Sequence, residues 1–156
     1  MTDSMMYTLI HSLTLPCIHI YHQKMSSIFC AEPEGDSPNR KSLYDSLLLG
    51  CIPVLFSRRT YALSPLHWDS SWKRDSSILV KYSDYVSGQL NLISYLESFM
   101  DSNGSRWNKS VTSMQRSIAD NAHSLQYSLD DSEEDAFARL FLLLSNRSQF
   151  IDQRLH

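Results

Sequence analysis

The sequence contains no uninterrupted apolar run that approaches the roughly 20 residues needed to cross a bilayer. The stretch before Tyr21 is moderately apolar, but His11, Pro16 and His19 interrupt it. The chain also lacks a long run of lysine or arginine, and its 14 basic residues are outnumbered by 17 acidic ones, for a formal net charge of −3. We therefore expect neither a membrane span in this chain nor nucleic acid as a partner.

Signatures of metal and phosphate-loop chemistry are missing as well. No GxxxxGK[ST] loop and no acidic metal pair occurs, which argues against a phosphotransferase. The three cysteines, Cys17, Cys30 and Cys51, fit no metal-ligand spacing and cannot all pair, so we predict small buried thiols in preference to a disulfide. We expect no metal ion and no resident cofactor.

At 156 residues, of which 42% are hydrophobic, the chain can bury one sizeable core. From residue 25 to residue 56 the pattern predicts a strand around Ile28–Cys30, a turn-rich loop, a helix and a second strand. The second strand, Cys51 to Phe56, is apolar throughout, as in a parallel strand covered on both faces. With a weaker third strand from Ser76 to Val80, the sequence predicts an α/β fold with a short parallel sheet.

After the third strand the apolar spacing becomes helical. Three buried stripes are predicted: Leu92, Tyr95, Leu96 and Phe99; Trp107, Val111, Met114 and Ile118; and Phe137, Leu140, Phe141 and Leu144. We expect Ser132 to be the N-cap of the last helix, with Glu133, Glu134 and Asp135 near the positive end of its dipole. Several packed helices therefore follow the predicted sheet.

The loop between the first two strands has the composition of a helix start that faces an anion. Ser37 is a good N-cap and Pro38 suits the first helical position, so we predict that the helix begins there. Its free N–H groups would lie past the carboxyl end of a parallel strand, where open α/β sheets bind phosphorylated ligands. Gly35 would let the backbone approach such a ligand closely.

Two charged residues of this helix have both a functional and a structural interpretation. The buried stripe of the helix is predicted to consist of Leu43, Tyr44 and Leu47. Arg40, at the end of this stripe, could hold a diphosphate bidentately, or it could extend to solvent or pair with a carboxylate of the loop. Asp45 lies about 140° further round the helix, where it could flank a ligand or pair with Lys41.

Two tryptophans follow the second strand. Trp68 and Trp72 could stack on a uracil or a sugar ring, or they could pack as ordinary apolar side chains. Both interpretations stay open, because a large aromatic side chain suits either role.

Three ordered pieces of the sequence closely resemble the exostosin-like glycosyltransferases, especially the plant cell-wall branch of that family. They are Phe29–Arg40 (FCAEPEGDSPNR), Tyr44–Leu47 (YDSL) and Gly50–Phe56 (GCIPVLF), and a weaker similarity continues to Leu144. The resemblance implies the Rossmann-like C-terminal domain of a GT-B glycosyltransferase. It also implies that Asp45, five positions before Gly50, holds the ribose of a sugar donor.

The resemblance further implies an activity: metal-independent, inverting transfer of a sugar from a nucleoside diphosphate, expected to be UDP, to a hydroxyl of a polysaccharide or glycan. Ser37 and Arg40 would hold the diphosphate, with Gly35 beside them. No catalytic base is assigned, because in such enzymes the acceptor site lies on an N-terminal domain for which this chain has no room. The alternative is a non-catalytic module derived from the same family.

The resemblance divides the chain into three parts. Residues 1–24 match poorly, residues 25–146 form the donor-binding domain, and residues 147–156 form a tail. By family resemblance the location is the Golgi lumen, where the sequons at Asn103, Asn108 and Asn146 would be glycan acceptors. The expected partners are a sugar donor, a glycan acceptor and a missing N-terminal domain or a full-length homologue.

Overall fold

The structure, a computed structural model, describes residues 17–63, 68, 70–100, 110–128 and 135–152. In chain order the elements are α1 (Cys17–Ser26), β1 (Phe29–Glu32), α2 (Lys41–Leu48), β2 (Ile52–Leu55), α3 (Arg58–Leu63), α4 (Ser70–Lys73), β3 (Ile78–Leu79), α5 (Tyr82–Val86), α6 (Leu92–Glu97), α7 (Val111–Asn121), a 3₁₀ helix (Ala122–Leu125) and α8 (Ala136–Asp152). A small sheet is therefore followed by helices, and the predicted α/β class is confirmed.

The three strands form one parallel sheet in the order β1-β2-β3. Glu32 at the end of β1 lies opposite Leu55 at the end of β2, and Leu55 lies opposite Leu79 of β3. All three strands consequently end at one side of the sheet, which we call the carboxyl edge. It is formed by the residues that follow the strands, from Pro33, Phe56 and Val80 onward.

The central strand lies in the middle of the core. All four residues of β2 are fully buried, as its apolar sequence predicts for a strand covered on both faces. Leu43 and Leu47 of α2 cover one part of the sheet and are also buried. The predicted stripes of α6 and α7 are confirmed by the buried side chains of Leu96, Phe99, Met114 and Ile118. Trp107 lies outside the described residues.

Trp68 and Trp72 belong to this core. Both are buried, and their rings meet edge to face with centroids 6.1 Å apart. The indole N–H of Trp68 donates to the hydroxyl of Ser76 at 2.8 Å, which satisfies its polar atom inside the protein. The packing interpretation is therefore confirmed for these two residues.

A disulfide joins Cys30 and Cys51, whose Cα atoms are 5.9 Å apart. The prediction of buried thiols was wrong for this pair. Cys30 lies in β1 opposite Pro53, and Cys51 comes two residues before Pro53, so the parallel pairing brings the two cysteines together. The number and spacing of the cysteines do not predict this disulfide, because its formation depends on which strands are neighbours in the sheet.

The last helix differs from its prediction. The carboxylate of Asp135 accepts hydrogen bonds from the N–H groups of Phe137 and Ala138 at 3.0 and 2.8 Å and so caps α8, while Ser132 lies outside the described residues. Hydrogen bonds from the N–H groups of Ala138 and Ser128 lower the pKa of Asp135. The predicted buried stripe was wrong, since Phe137, Phe141 and Leu144 are 53%, 61% and 54% exposed. Apolar spacing defines a stripe, but it does not show whether another element covers it.

No helix in the described part of the chain combines the length and apolar character that crossing a membrane requires.

Candidate functional site

The loop after β1 leads into α2 at the carboxyl edge, but the helix begins later than predicted. Its first residue is Lys41, and Arg40 occupies the N-cap position in an extended conformation without a side-chain cap. Ser37 is not the cap: its hydroxyl accepts from the N–H of Asn39 at 3.3 Å, within a local turn. Serine side chains stabilise such turns as readily as helix starts, which explains the error.

The late start leaves the beginning of α2 without a cap. The N–H of Leu43 donates to the carbonyl of Arg40 at 3.1 Å. Within the described ranges, the N–H groups of Lys41 and Ser42 have no acceptor. Two donors and the positive end of the helix dipole therefore face the carboxyl edge, as an anion site requires.

The Arg40 side chain is held beside these donors. Its Nη1 donates to the carbonyl oxygen of Pro33 at 3.1 Å, and its aliphatic and guanidinium atoms lie across Gly35. A Cβ at Gly35 would come within 3.1 Å of Arg40 Cδ and Nε. Gly35 thus makes room for the guanidinium, a role that the sequence analysis did not assign to it.

Arg40 forms no ion pair with any residue that the structure describes, so pairing with a carboxylate of the loop is not what occupies it. Only one of its five N–H groups is used by the Pro33 carbonyl. The remaining N–H groups can donate to an anion. This supports the interpretation that Arg40 binds a diphosphate, which stays a prediction.

Asp45 shows the structural interaction considered for it. Both of its oxygens accept hydrogen bonds from Lys41 Nζ, at 2.7 and 2.8 Å, and the same ammonium group donates to the Tyr21 hydroxyl at 2.7 Å. The hydrogen bond to Asp45, followed by that to Tyr21, raises the pKa of Lys41. Because each carboxylate oxygen can accept more than one hydrogen bond, the pair leaves capacity for a ribose hydroxyl. Ribose binding by Asp45 stays a prediction.

A buried polar cluster below this loop was missed by the sequence analysis. Lys24 Nζ lies within hydrogen-bonding distance of four oxygens, more than its three N–H groups can each serve at once: Glu32 Oε1 at 2.7 Å, the carbonyl oxygen and hydroxyl of Ser42 at 2.7 and 2.9 Å, and the hydroxyl of Ser46 at 2.6 Å. Ser46 also donates to Glu32 at 2.6 Å. The cluster joins α1, β1 and α2. Its signal in the sequence was Glu32 itself, a charged residue at the end of an apolar strand, which needs a partner when buried.

Tyr44 contributes a second buried polar atom. Its hydroxyl has no hydrogen-bond partner within the described structure, and burial raises the pKa of Tyr44 to about 12. The predicted stripe of α2 is confirmed for Leu43 and Leu47, whereas Tyr44 is half-buried. The phenol of Tyr44 stays protonated at neutral pH.

Comparison with known proteins finds a family match for the region that contains this loop. Residues 10–84 match the Exostosin GT47 domain. The chain is 41% identical over 73 residues, 46% of its length, to "Xyloglucan-specific galacturonosyltransferase 1" of Arabidopsis thaliana, of which it covers 11%. It is 61% identical over 62 residues, 40% of its length, to "Probable xyloglucan galactosyltransferase GT15" of the same plant, of which it covers 12%. No solved structure matches the chain significantly.

The longest of these alignments links most of the chain to one relative. It reaches 75% of the chain at 25% identity, with "Probable xyloglucan galactosyltransferase GT19" of Arabidopsis thaliana, and covers 27% of that protein. The chain thus spans about a tenth to a quarter of the length of these three relatives. Over residues 10–84 the predicted resemblance to the exostosin-like glycosyltransferases is confirmed.

Proposed function

We propose that this chain is the donor-binding part of a GT-B glycosyltransferase and that it binds a UDP-sugar at the carboxyl edge of its sheet. The observation that carries the proposal is the Arg40 guanidinium, held across Gly35 beside the uncapped start of α2. A guanidinium and free helix N–H groups are the donors that a diphosphate requires.

The ligand is bound in three parts. The diphosphate oxygens accept from the N–H groups of Lys41 and Ser42 and from the free N–H groups of Arg40. Ser37, exposed in its turn, lies in the same loop and adds a hydroxyl. Asp45 accepts a ribose hydroxyl next to its pair with Lys41.

The reaction then needs a second domain. In the proposed inverting transfer, an acceptor hydroxyl attacks the anomeric carbon of the sugar while the bond to the diphosphate breaks, and UDP leaves. The groups at α2 hold the negative charge of the departing diphosphate. The base that takes the hydroxyl proton belongs to the N-terminal acceptor domain of the complete enzyme.

The proposed acceptor is based on the relatives, and the proposed cell compartment on the family resemblance and the disulfide. Their printed names refer to xyloglucan and to galactosyl or galacturonosyl transfer, so we place the acceptor among plant cell-wall polysaccharides. The Golgi lumen is the proposed compartment. The Cys30–Cys51 disulfide supports it, because structural disulfides persist in the secretory pathway and are rare in the cytosol.

Ligand-induced stabilisation of the 156-residue chain tests donor binding. At 100 times its Kd, UDP should add about 2.7 kcal/mol to the free energy of unfolding and raise Tm by about 5 °C or more. Arg40→Ala and Asp45→Ala should each remove most of this shift. Arg74→Ala is the matched control, since Arg74 precedes β3 at the opposite edge of the sheet. Absence of a shift with every nucleoside diphosphate would refute the proposal.

The exposed apolar face of α8 favours one second candidate, a non-catalytic interaction module. Phe137, Phe141 and Leu144 present apolar surface of the kind that protein partners cover. Mixing the chain with a separately expressed N-terminal half of a relative distinguishes the two. Restored sugar transfer supports the donor-binding part, whereas a chain that neither binds UDP nor restores transfer supports the module.

A further inference from the structure

An exposed aromatic ring lies next to the carboxylate that is proposed to hold the ribose. Tyr21 of α1 is 36% exposed, and its hydroxyl accepts a hydrogen bond from Lys41 Nζ at 2.7 Å. The same ammonium group lies 2.7 and 2.8 Å from the two carboxylate oxygens of Asp45. Lys41 therefore bridges the phenol of Tyr21 and the proposed ribose site, and it directly follows Arg40 in the chain.

The contact with Lys41 does not cover the faces of the Tyr21 ring. Lys41 Nζ lies 5.2 Å from the ring centroid, nearly twice its distance from the hydroxyl. The ammonium group consequently approaches the hydroxyl end of the ring and not the middle of a face. An exposed ring that is held by its edge offers a surface on which another planar group can stack.

A second contact between α1 and α2 fixes the position of this ring. Lys24 comes three residues after Tyr21 and so lies on the same side of α1. Its Nζ is 2.7 Å from the carbonyl oxygen of Ser42 and 2.6 Å from the hydroxyl of Ser46, whereas Tyr21 contacts Lys41. Successive turns of α1 are thus joined to α2, and a side chain placed before its ligand arrives loses less conformational entropy on binding.

The base of a nucleotide bound at the proposed site would lie near Tyr21. In a nucleoside diphosphate the base is bonded to the ribose carbon next to the one that carries the 2′ hydroxyl, and the phosphates are attached on the other side of the ribose. With the diphosphate at Arg40 and the ribose at Asp45, the base continues along the side of α2 that contacts α1. Trp68 and Trp72, the aromatic residues considered for uracil in the sequence, are buried in the core and offer no open ring.

We propose that Tyr21 stacks on the base of the bound nucleoside diphosphate, so that the base lies against α1 beside Asp45. The inference rests on the proposed function and adds a base-binding residue to the diphosphate and ribose contacts of the same site. Every base has a π face on which an aromatic side chain can stack. Tyr21 therefore favours a nucleotide over a free diphosphate and does not choose among bases.

Calorimetric titration of the full chain with UDP and with inorganic pyrophosphate, which has no base, tests the proposal. Tyr21→Leu removes the ring, and we expect it to raise the Kd of UDP about tenfold. The affinity for pyrophosphate, measured by its competition with UDP, should not change. Tyr21→Phe keeps the ring and removes only the hydroxyl, so this variant should bind UDP as the unsubstituted chain does.

Tyr85→Leu is the matched control. Tyr85 is 44% exposed and belongs to α5, which follows β3, the strand farthest from β1 in the sheet. Its replacement should leave the Kd of UDP unchanged. If Tyr85→Leu weakens UDP binding while Tyr21→Leu does not, the base lies at the other side of the carboxyl edge and the proposal is overturned.

The remaining outcomes separate stacking from a structural role of Tyr21. Equal losses of affinity for UDP and pyrophosphate in Tyr21→Leu would show that the residue acts on the diphosphate site through Lys41, and would overturn the proposal. So would a loss in Tyr21→Phe as large as that in Tyr21→Leu, or an unchanged Kd of UDP in Tyr21→Leu. Absence of UDP binding by the unsubstituted chain, or pyrophosphate that does not compete with UDP, would refute the proposed function itself.

Discussion

At the scale of single residues, the site depends on how Arg40 is held. The guanidinium uses one N–H group on the Pro33 carbonyl and lies across Gly35, where no side chain obstructs it. This arrangement fixes the charge near the start of α2 without neutralising it. A residue of no charge and no side chain, Gly35, thereby becomes part of a predicted anion site.

Replacing Gly35 by alanine tests this role. The new methyl group would meet Arg40 at 3.1 Å, and the flexible arginine side chain would move to accommodate it. We expect the free energy of unfolding to change by no more than about 0.5 kcal/mol, while the Kd of UDP rises. Chemical denaturation and calorimetry measure the two quantities on the same variant.

A double-mutant cycle provides the control for that prediction. If Gly35 acts through the guanidinium, Gly35→Ala should weaken UDP binding no further in a chain that already carries Arg40→Ala. Additive losses would mean that Gly35 contacts the ligand independently. An unchanged Kd in the single variant would mean that the position of Arg40 is irrelevant to binding.

The sequence predicted correctly where Gly35, Ser37 and Arg40 lie in the fold, but it did not predict the interactions that they form. It placed Gly35, Ser37 and Arg40 after a strand that ends at the carboxyl edge, which follows from the strand order alone. It put the helix start at Ser37, because a serine followed by a proline is typical of an N-cap. The competing turn from Ser37 to Asn39 is equally local, and choosing between the two requires knowing where the loop packs.

At the scale of secondary-structure elements, two interactions hold the first helices and strands together. One is the buried cluster around Lys24 and Glu32, whose side chains are 8% and 4% exposed. The other is the Cys30–Cys51 disulfide between β1 and the residue before β2. The sequence analysis missed the cluster, and it considered a disulfide but predicted buried thiols instead.

Removing one partner of the buried cluster should be costly. Lys24→Met leaves the Glu32 carboxylate buried without its cation, so we expect the free energy of unfolding to fall by about 3–5 kcal/mol. The double variant Lys24→Met with Glu32→Gln removes both charges and should recover a large part of this loss. Urea denaturation of both variants measures the difference, and an equally unstable double variant would contradict the electrostatic explanation.

The disulfide should contribute through the loop that it closes. Its cysteines are 21 residues apart, so replacing both with alanine should lower the free energy of unfolding by about 3 kcal/mol in the loop-entropy treatment. A reducing agent should destabilise the original chain by a similar amount and leave the double variant unaffected. A chain whose denaturation midpoint does not respond to reduction would contradict the assigned pairing.

The helices and strands themselves were more predictable than the buried cluster and the disulfide that connect them. The apolar run from Cys51 to Phe56 is sufficient to predict a buried parallel strand, because few other structures accommodate it. The stripe on α8 failed for a different reason: Phe137 and Phe141 follow helical spacing, but the described elements do not cover them. Burial of a stripe is a property of the whole packing arrangement.

At the scale of the whole molecule, the function proposed for the chain is binding of a sugar donor. The proposal rests on the loop that carries Arg40, and the relatives that share this region are several times longer than the chain. The exposed apolar face of α8 is a surface that a second domain would cover under the proposed function. Donor binding is therefore the property that this chain should show by itself.

The most direct measurement is calorimetric titration of the 156-residue chain with UDP, compared with UMP and with the Arg40→Ala variant. The proposed donor site predicts saturable binding of UDP, weaker binding of UMP because one phosphate is missing, and near-complete loss of UDP binding in Arg40→Ala. Equal affinities of the original chain and Arg40→Ala for UDP, or no heat of binding with UDP in either, would contradict it.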